Sequence, residues 1–174
     1  MYTRGLYVGR FQPFHLGHGY HVNYVLREVE EIIIAVGSPQ LSHELNDPFT
    51  IGERISMIRL ALLEMGVSYS KYLIIPIPDA SMHATWTAQV IAYSPSFDIV
   101  YSNDPLTCRL FKETGIKAKN VPLFRREIYS ATEVRRRILS NQNWEELLHS
   151  NVSKFIKQID GEYRIRELAK SDKR

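Results

Sequence analysis

Apolar residues along this chain follow two rhythms, and the rhythms alternate. Leu6-Tyr7-Val8 is a short apolar run, and Val22, Val25, Leu26 and Val29 then recur at helical spacing. The first predicts a strand and the second an amphipathic helix over His18 to Glu30. Glu31 to Gly37, EIIIAVG, is β-branched and apolar throughout, as expected of a strand buried on both faces. Thr50 and Glu53 have capping-box spacing, so a helix is expected over Ile51 to Glu64. Further strands are predicted at Tyr72 to Ile75, Phe97 to Tyr101 and Lys117 to Val121. Helices are predicted near Trp86 to Tyr93, after Pro105, and from Ser130 to Leu139. The remaining C-terminus, including Asn143 to Leu148, reads as further helix.

Strand and helix in alternation predict an α/β chain of Rossmann-like type. A parallel sheet of five or six strands should carry helices on both faces, with a helical C-terminal part over about 140–174. The chain has 174 residues, enough for one domain with a substantial core, so 1–174 is expected to be a single domain. Apolar content of 44% and charged content of 24% are ordinary for a globular protein, and a net charge of +3 does not call for nucleic acid. The longest apolar runs are too short to span a bilayer, and MYTRGLYVGR lacks the apolar stretch of a signal peptide. Cys108 is the only cysteine, which rules out an internal disulfide and a cysteine-rich zinc site. A cytoplasmic protein without a membrane partner is expected.

The candidate chemistry begins where the first strand ends. GRFQPFHLGH, Gly9 to His18, places Arg10, His15 and His18 in the turn that leads into the first helix. Ligands of open parallel sheets bind outside the carboxyl ends of the strands, and a helix start attracts anions. Gly9 allows close backbone approach, and Arg10 supplies a fixed charge and a planar donor fork. The stretch is neither G-x-x-x-x-G-K-[ST] nor G-x-G-x-x-G. His15, His18 and His21 lie three apart, but the helical zinc pattern H-E-x-x-H is absent, so no protein-held metal is expected. A polar turn with surface histidines is the alternative reading of this stretch alone. YSATEVRRR, Tyr129 to Arg137, holds a second helix start, with Ser130 and Glu133 at capping-box spacing and Arg135 one turn inside. By itself it could be a capped helix with a solvated basic face. Together the two helix starts could grip the ends of a triphosphate.

His15-Leu16-Gly17-His18 and Ser130-Ala131-Thr132-Glu133-Val134-Arg135 resemble the HxGH and SxTxxR motifs of the nucleotidylyltransferase superfamily. With SHELNDPFTIGER from Ser42, the stretch around Trp86, FDIVYSNDP from Phe97 and GEYRIRELAK from Gly161, nearly the whole chain is similar to the archaeal nicotinamide-nucleotide adenylyltransferases. That resemblance implies the reaction of ATP with nicotinamide mononucleotide (NMN) to give NAD and pyrophosphate. It implies His15 and His18 on the ATP phosphates, with His18 nearest the α-phosphate. Arg10 is implied near the reacting end, and Ser130, Thr132 and Arg135 on the β- and γ-phosphates. Gly9 and Phe11 would line the ATP site and Asn103 would lie near adenine. An adjacent phosphate favours the charged form of a histidine. Mg²⁺ is implied on the phosphates rather than in a protein cage.

Trp86 is implied to stack on the nicotinamide, although a core tryptophan is the commoner fate of an indole. The resemblance places His83 near the nicotinamide amide, where relatives have asparagine, and Asp104 on the adenine side, again in place of asparagine. The family forms homo-oligomers, hexamers among them. Competing readings are an adenylyltransferase with another acceptor (nicotinic acid mononucleotide, phosphopantetheine, FMN or glycerol phosphate) and a non-catalytic nucleotide-binding module. A nucleic-acid binder using Arg125, Arg126, Arg135, Arg136 and Arg137 is the least supported, because no nucleic-acid module is recognised.

Overall fold

A computed structural model describes residues 2–171. Residues 172–174, part of the expected C-terminal helical segment, lie outside the described residues. The chain divides into two compact units. One takes in the described residues of 1–10, 21–39 and 68–122, the other those of 11–20, 40–67 and 123–174.

The first unit is built on five parallel strands: β1 (Tyr2–Gly9), β2 (Val29–Gly37), β3 (Tyr72–Ile77), β4 (Ile99–Tyr101) and β5 (Lys117–Lys119). Their order is β3-β2-β1-β4-β5, so the direction of winding reverses between β1 and β4. This is the Rossmann-like arrangement expected, with five strands. Ile32 to Val36 are all buried, because β2 lies between β1 and β3 and is covered on both faces. On one face Leu6, Ile33, Ala35 and Val100 pack with Val90 of α3 (His83–Tyr93) and Phe111 of α4 (Pro105–Glu113). On the other face the Tyr7 hydroxyl meets His21 Nδ1 at 2.9 Å. His21 belongs to α1 (Leu16–Val25). Helices therefore cover both faces of the sheet.

Several boundaries differ from the sequence expectation, most of all around the first helix. The first helix stops at Val25, not Glu30, because Val29 is the register partner of Tyr2 and opens β2. Sheet pairing overrides the helical spacing of Val29 here. β1 begins at Tyr2, well before Leu6, for the same reason.

The second unit is helical: residues 16–20 of α1, α2 (Ile51–Glu64), α5 (Ala131–Leu139), α6 (Ser150–Gln158) and α7 (Gly161–Ser171). Its core holds Phe49, Met57, Leu62, Ile138, Val152 and Ile165, all at most 0% exposed. α2 has the expected bounds and the full capping box. Glu53 N donates to Thr50 Oγ1 at 3.3 Å, and Thr50 N donates to the Glu53 carboxylate at 2.9 Å. Arg164 of α7 closes on the same carboxylate with two bonds of 2.7 and 2.8 Å. Burial works against the charge on Glu53, but these donors outweigh it and hold the carboxyl below its usual range. Asn143 to Leu148 is not a helix: only Glu145–Leu147 forms a single 3-10 turn before α6. No described helix is long and apolar enough to cross a membrane.

Candidate active site

In the first unit a cavity of about 520 Å³ opens at the carboxyl ends of the strands. Gly9 ends β1 and Arg10 follows it, Gly37 ends β2 and Ser38 follows it, Asp79 and Ala80 follow β3, and Ser102 and Asp104 follow β4. His83 and Trp86 of α3 and Leu106 and Thr107 of α4 complete the wall. This is where an open parallel sheet takes a ligand, beside the reversal of strand order. Trp86 belongs to both core and cavity. Its ring meets Phe111 edge to face with centroids 5.8 Å apart, and the half-buried indole still lines the cavity.

Polar groups of the wall are held in place. Asp79 accepts from Ser38 Oγ at 2.9 Å. Asp104 is the N-cap of α4 and accepts from Thr107 N at 2.9 Å and Thr107 Oγ1 at 2.6 Å. Burial disfavours its charge, but the Thr107 bonds and the Leu106 amide win and keep its carboxyl below the usual range. Asn103 is not among the residues lining this cavity; its Oδ1 accepts from Val121 N at 3.0 Å and ties the end of β4 to the segment after β5.

The second unit holds His15 and His18. His15 stands just before α1, and its carbonyl accepts from the amides of His18 at 2.9 Å and Gly19 at 3.2 Å. The helix thus starts at Leu16, one residue after His15 and two before the expected start. His15 N in turn donates to His18 Nδ1 at 3.2 Å. The two imidazoles stack, with centroids 3.6 Å apart and planes 24° from parallel. Spacing His15 and His18 three apart therefore brings the rings together. Phe11 and Phe14 back the His18 ring at 4.8 and 5.2 Å. Phe11 is buried, with φ of 55° in the left-handed region that a bulky residue seldom occupies. Its ring meets that of His18 edge to face. Gly17 is tight: a Cβ there would lie 3.0 Å from the His15 ring and 3.1 Å from the Tyr129 carbonyl. His21 turns to Tyr7 instead, and no group of three or more metal-holding side chains occurs among the described residues.

The Tyr129 contact puts the second motif beside the first. Ser130 is the N-cap of α5, and its Oγ accepts from Glu133 N at 3.1 Å. The reciprocal half of the expected capping box is replaced, because the Glu133 carboxylate pairs with Arg136 at 2.7 Å and Arg137 at 2.9 Å. These arginines pull the Glu133 carboxyl down to about 2. Arg135 is buried and points the other way. Its Nη1 donates to the Gln12 carbonyl at 2.8 Å and its Nη2 to Asn46 Oδ1 at 3.4 Å. Thr132 is exposed in the first turn of α5.

Gln12 is a residue that motif reading passes over. Its side-chain amide is matched to the Phe49 backbone, donating to the carbonyl at 3.0 Å and accepting from the amide at 3.0 Å. With its own carbonyl on Arg135, Gln12 ties the turn, the segment before α2 and α5 together. Asn46 and Asp79 were equally silent in the sequence, since their partners lie far along the chain.

The model of the cytidylyltransferase-like family matches residues 6–137. A nicotinamide-nucleotide adenylyltransferase of Saccharolobus solfataricus is 47% identical over 171 residues, covering 98% of this chain and 99% of that protein. One from Thermococcus sibiricus is 48% identical over 166 residues, covering 95% and 89%. A crystal structure of a bifunctional NMN adenylyltransferase/ADP ribose pyrophosphatase from Francisella tularensis shares the fold, with a TM-score of 0.82 at 20% identity over 99% of this chain. This chain spans only 54% of that protein. The same protein was also solved with AMP and a manganese ion, at a TM-score of 0.79. The stacked histidines at the start of α1, the Ser130 cap and the buried Arg135 thus occur in a chain that belongs to the nicotinamide-nucleotide adenylyltransferases of the cytidylyltransferase-like family.

Proposed function

We propose that this chain transfers the adenylyl group of ATP to NMN, forming NAD and releasing pyrophosphate. One observation carries the reading: the two motifs form a single donor cluster, through the His15–His18 stack and the Arg135 bond to Gln12. The near full-length relatives of the same name support it.

An oxygen of the NMN phosphate attacks the ATP α-phosphorus in line, and the bond to the β-phosphate oxygen breaks as pyrophosphate leaves. The attacking phosphate is already anionic, so the step needs no base and no covalent intermediate. Positioning and electrostatic stabilisation supply the catalysis. His15 and His18 would donate to the ATP phosphates, His18 at the α-phosphate. Ser130, Thr132 and Arg135 would take the β- and γ-phosphates, with Arg10 near the reacting end. Gly9 and Asn103 would serve ATP, and Phe11 would act by supporting His18. Trp86 and His83 would hold the nicotinamide.

The donor set of this cluster is imidazole, hydroxyl and guanidinium, which suits phosphate oxygens better than a hard cation. Mg²⁺ would therefore arrive on ATP and neutralise phosphate charge there. We also propose that residues 1–174 act as one nucleotidylyltransferase domain, in the cytoplasm and as a homo-oligomer. Light scattering of the purified chain tests the assembly.

Pyrophosphate release from ATP, measured with a panel of acceptors, tests the function. Strong turnover is expected with NMN. Turnover only with nicotinic acid mononucleotide, phosphopantetheine or FMN would transfer the reading to another acceptor. No turnover with any of them would leave a nucleotide-binding module.

A further inference from the structure

We infer that His18 meets its phosphate as a neutral imidazole whose proton is fixed on Nε2, because the His15 backbone amide holds Nδ1 as an acceptor. The inference rests on the reading of His18 as the α-phosphate donor and deepens it. The geometry comes first. His15 N donates to His18 Nδ1 at 3.2 Å. A backbone N–H can only donate, so Nδ1 must present its lone pair, and the single proton of a neutral ring then sits on Nε2. This is a capping box with an imidazole in the glutamate's place: the first-turn residue three positions on reaches back to the amide where the helix starts. An imidazolium would carry a proton on Nδ1 as well. It would face the amide N–H, break that bond and leave a first-turn donor without its acceptor.

The surroundings push the same way. The His15 ring lies against His18 at 3.6 Å, so two charged rings would repel at contact. Phe11 and Phe14 supply apolar rings on the other sides, at 4.8 and 5.2 Å. His149, before α6, reaches Phe14 with centroids 6.2 Å apart, and Arg135 of α5 reaches the Gln12 carbonyl. A charge on His18 would thus cost the bond from the His15 amide and would sit against two apolar rings. A nearby phosphate favours the charged form of a histidine, and at His18 the amide bond to Nδ1 opposes it. His18 is then a fixed dipole that strengthens its bond as the α-phosphate gains charge. It passes no proton to the leaving pyrophosphate.

The experiment reads the two ring nitrogens of His18 by long-range ¹⁵N–¹H correlation, in the intact protein and with a non-hydrolysable ATP analogue and Mg²⁺. A neutral ring protonated on Nε2 is expected in both, from about pH 8 to about 6, through the midpoint near 6.5 of a free histidine. Protonation of both nitrogens in the nucleotide complex overturns the inference. Kinetics give an independent arm. His18→Gln restores an acceptor for the His15 amide and a neutral donor, whereas His18→Lys supplies charge without an acceptor. The Gln variant is expected to keep at least about tenfold more kcat than the Lys variant, with Lys near the ~10²–10³ loss of a deleted donor. A Lys variant as active as Gln, or more so, also overturns it. Failure of the underlying role looks different: His18→Ala with near-normal kcat, whatever the tautomer.

Discussion

The cavity at the strand ends and the histidine cluster at the start of α1 treat polar groups in opposite ways. In the cavity the fixed groups are acceptors: Asp79 on Ser38 and Asp104 on Thr107, beside the flat face of Trp86. In the cluster they are donors, and the backbone locks them. His18 is set by the His15 amide, Arg135 by the Gln12 carbonyl, and Gln12 by both backbone groups of Phe49. An aromatic wall can grip a planar ring equally before and during reaction. In the proposed reaction, donors aimed at a phosphate must be in place before charge develops there, a requirement that pinned side chains meet. Substitutions in the cluster should therefore cost kcat, and those in the cavity KM.

The largest expected effect is at His18. Deleting one preorganised donor to a developing oxyanion costs ~2.7–4 kcal/mol, about 10²–10³ in kcat. His18→Ala should show that loss while ATP affinity changes far less. Steady-state kinetics with both substrates, on protein whose fold is confirmed by circular dichroism, decide it. Near-normal kcat would remove the proposed role and erase the contrast between the two regions.

A smaller effect is expected at Trp86. Stacking on a pyridinium contributes ~0.5–2 kcal/mol, so Trp86→Ala should raise KM for NMN by roughly two- to thirtyfold. KM for ATP and kcat should move little, and Trp86→Phe should recover part of the loss. The edge-to-face contact with Phe111 adds a structural component. Some lowering of Tm is therefore expected with Ala and less with Phe. Equal rises in both KM values, tracking the loss of Tm, would make Trp86 a core residue only.

How much of this was readable in the sequence follows from how local each determinant is. α2 was legible to the residue because its cap, Thr50 with Glu53, lies within one turn. β2 was legible because a strand buried on both faces is apolar without alternation. The two motifs were legible as motifs, and the short chain distance from Arg10 to His18 placed the histidines at the strand-to-helix turn. The end of α1 was not, since Val29 fits a helical face as well as a strand and only its pairing with Tyr2 decides. Asn143 to Leu148 failed for a related reason: a helix-like composition over six residues supports one 3-10 turn. Gln12 and Asn46 act through partners 37 and 89 residues away, which no local pattern announces.

The smallest effect expected concerns how the second motif is held. Glu133 sits in the first turn of α5, where a negative charge suits the helix dipole, and it pairs with Arg136 and Arg137. Arg136 is half exposed, so solvent screens this network and its contribution is modest. The sign is set by the shift. The folded carboxyl is depressed from 4.5 to about 2, so its stabilisation is present in full above the unfolded value. It is lost as pH falls through that window. Wild type should exceed Glu133→Gln in unfolding free energy at pH 7, and the gap should narrow steadily between about pH 4.5 and 2. Other depressed carboxyls such as Glu53 weaken both proteins in acid alike, so the difference isolates Glu133. Raising the salt should shrink the gap at pH 7, because exposed charges are screened. Urea unfolding of the two proteins across this pH range measures it. A gap that stays constant with pH would mean that Glu133 stabilises α5 by packing alone. The bonds to Arg136 and Arg137 would then leave the setting of Arg135 to Gln12 and Asn46.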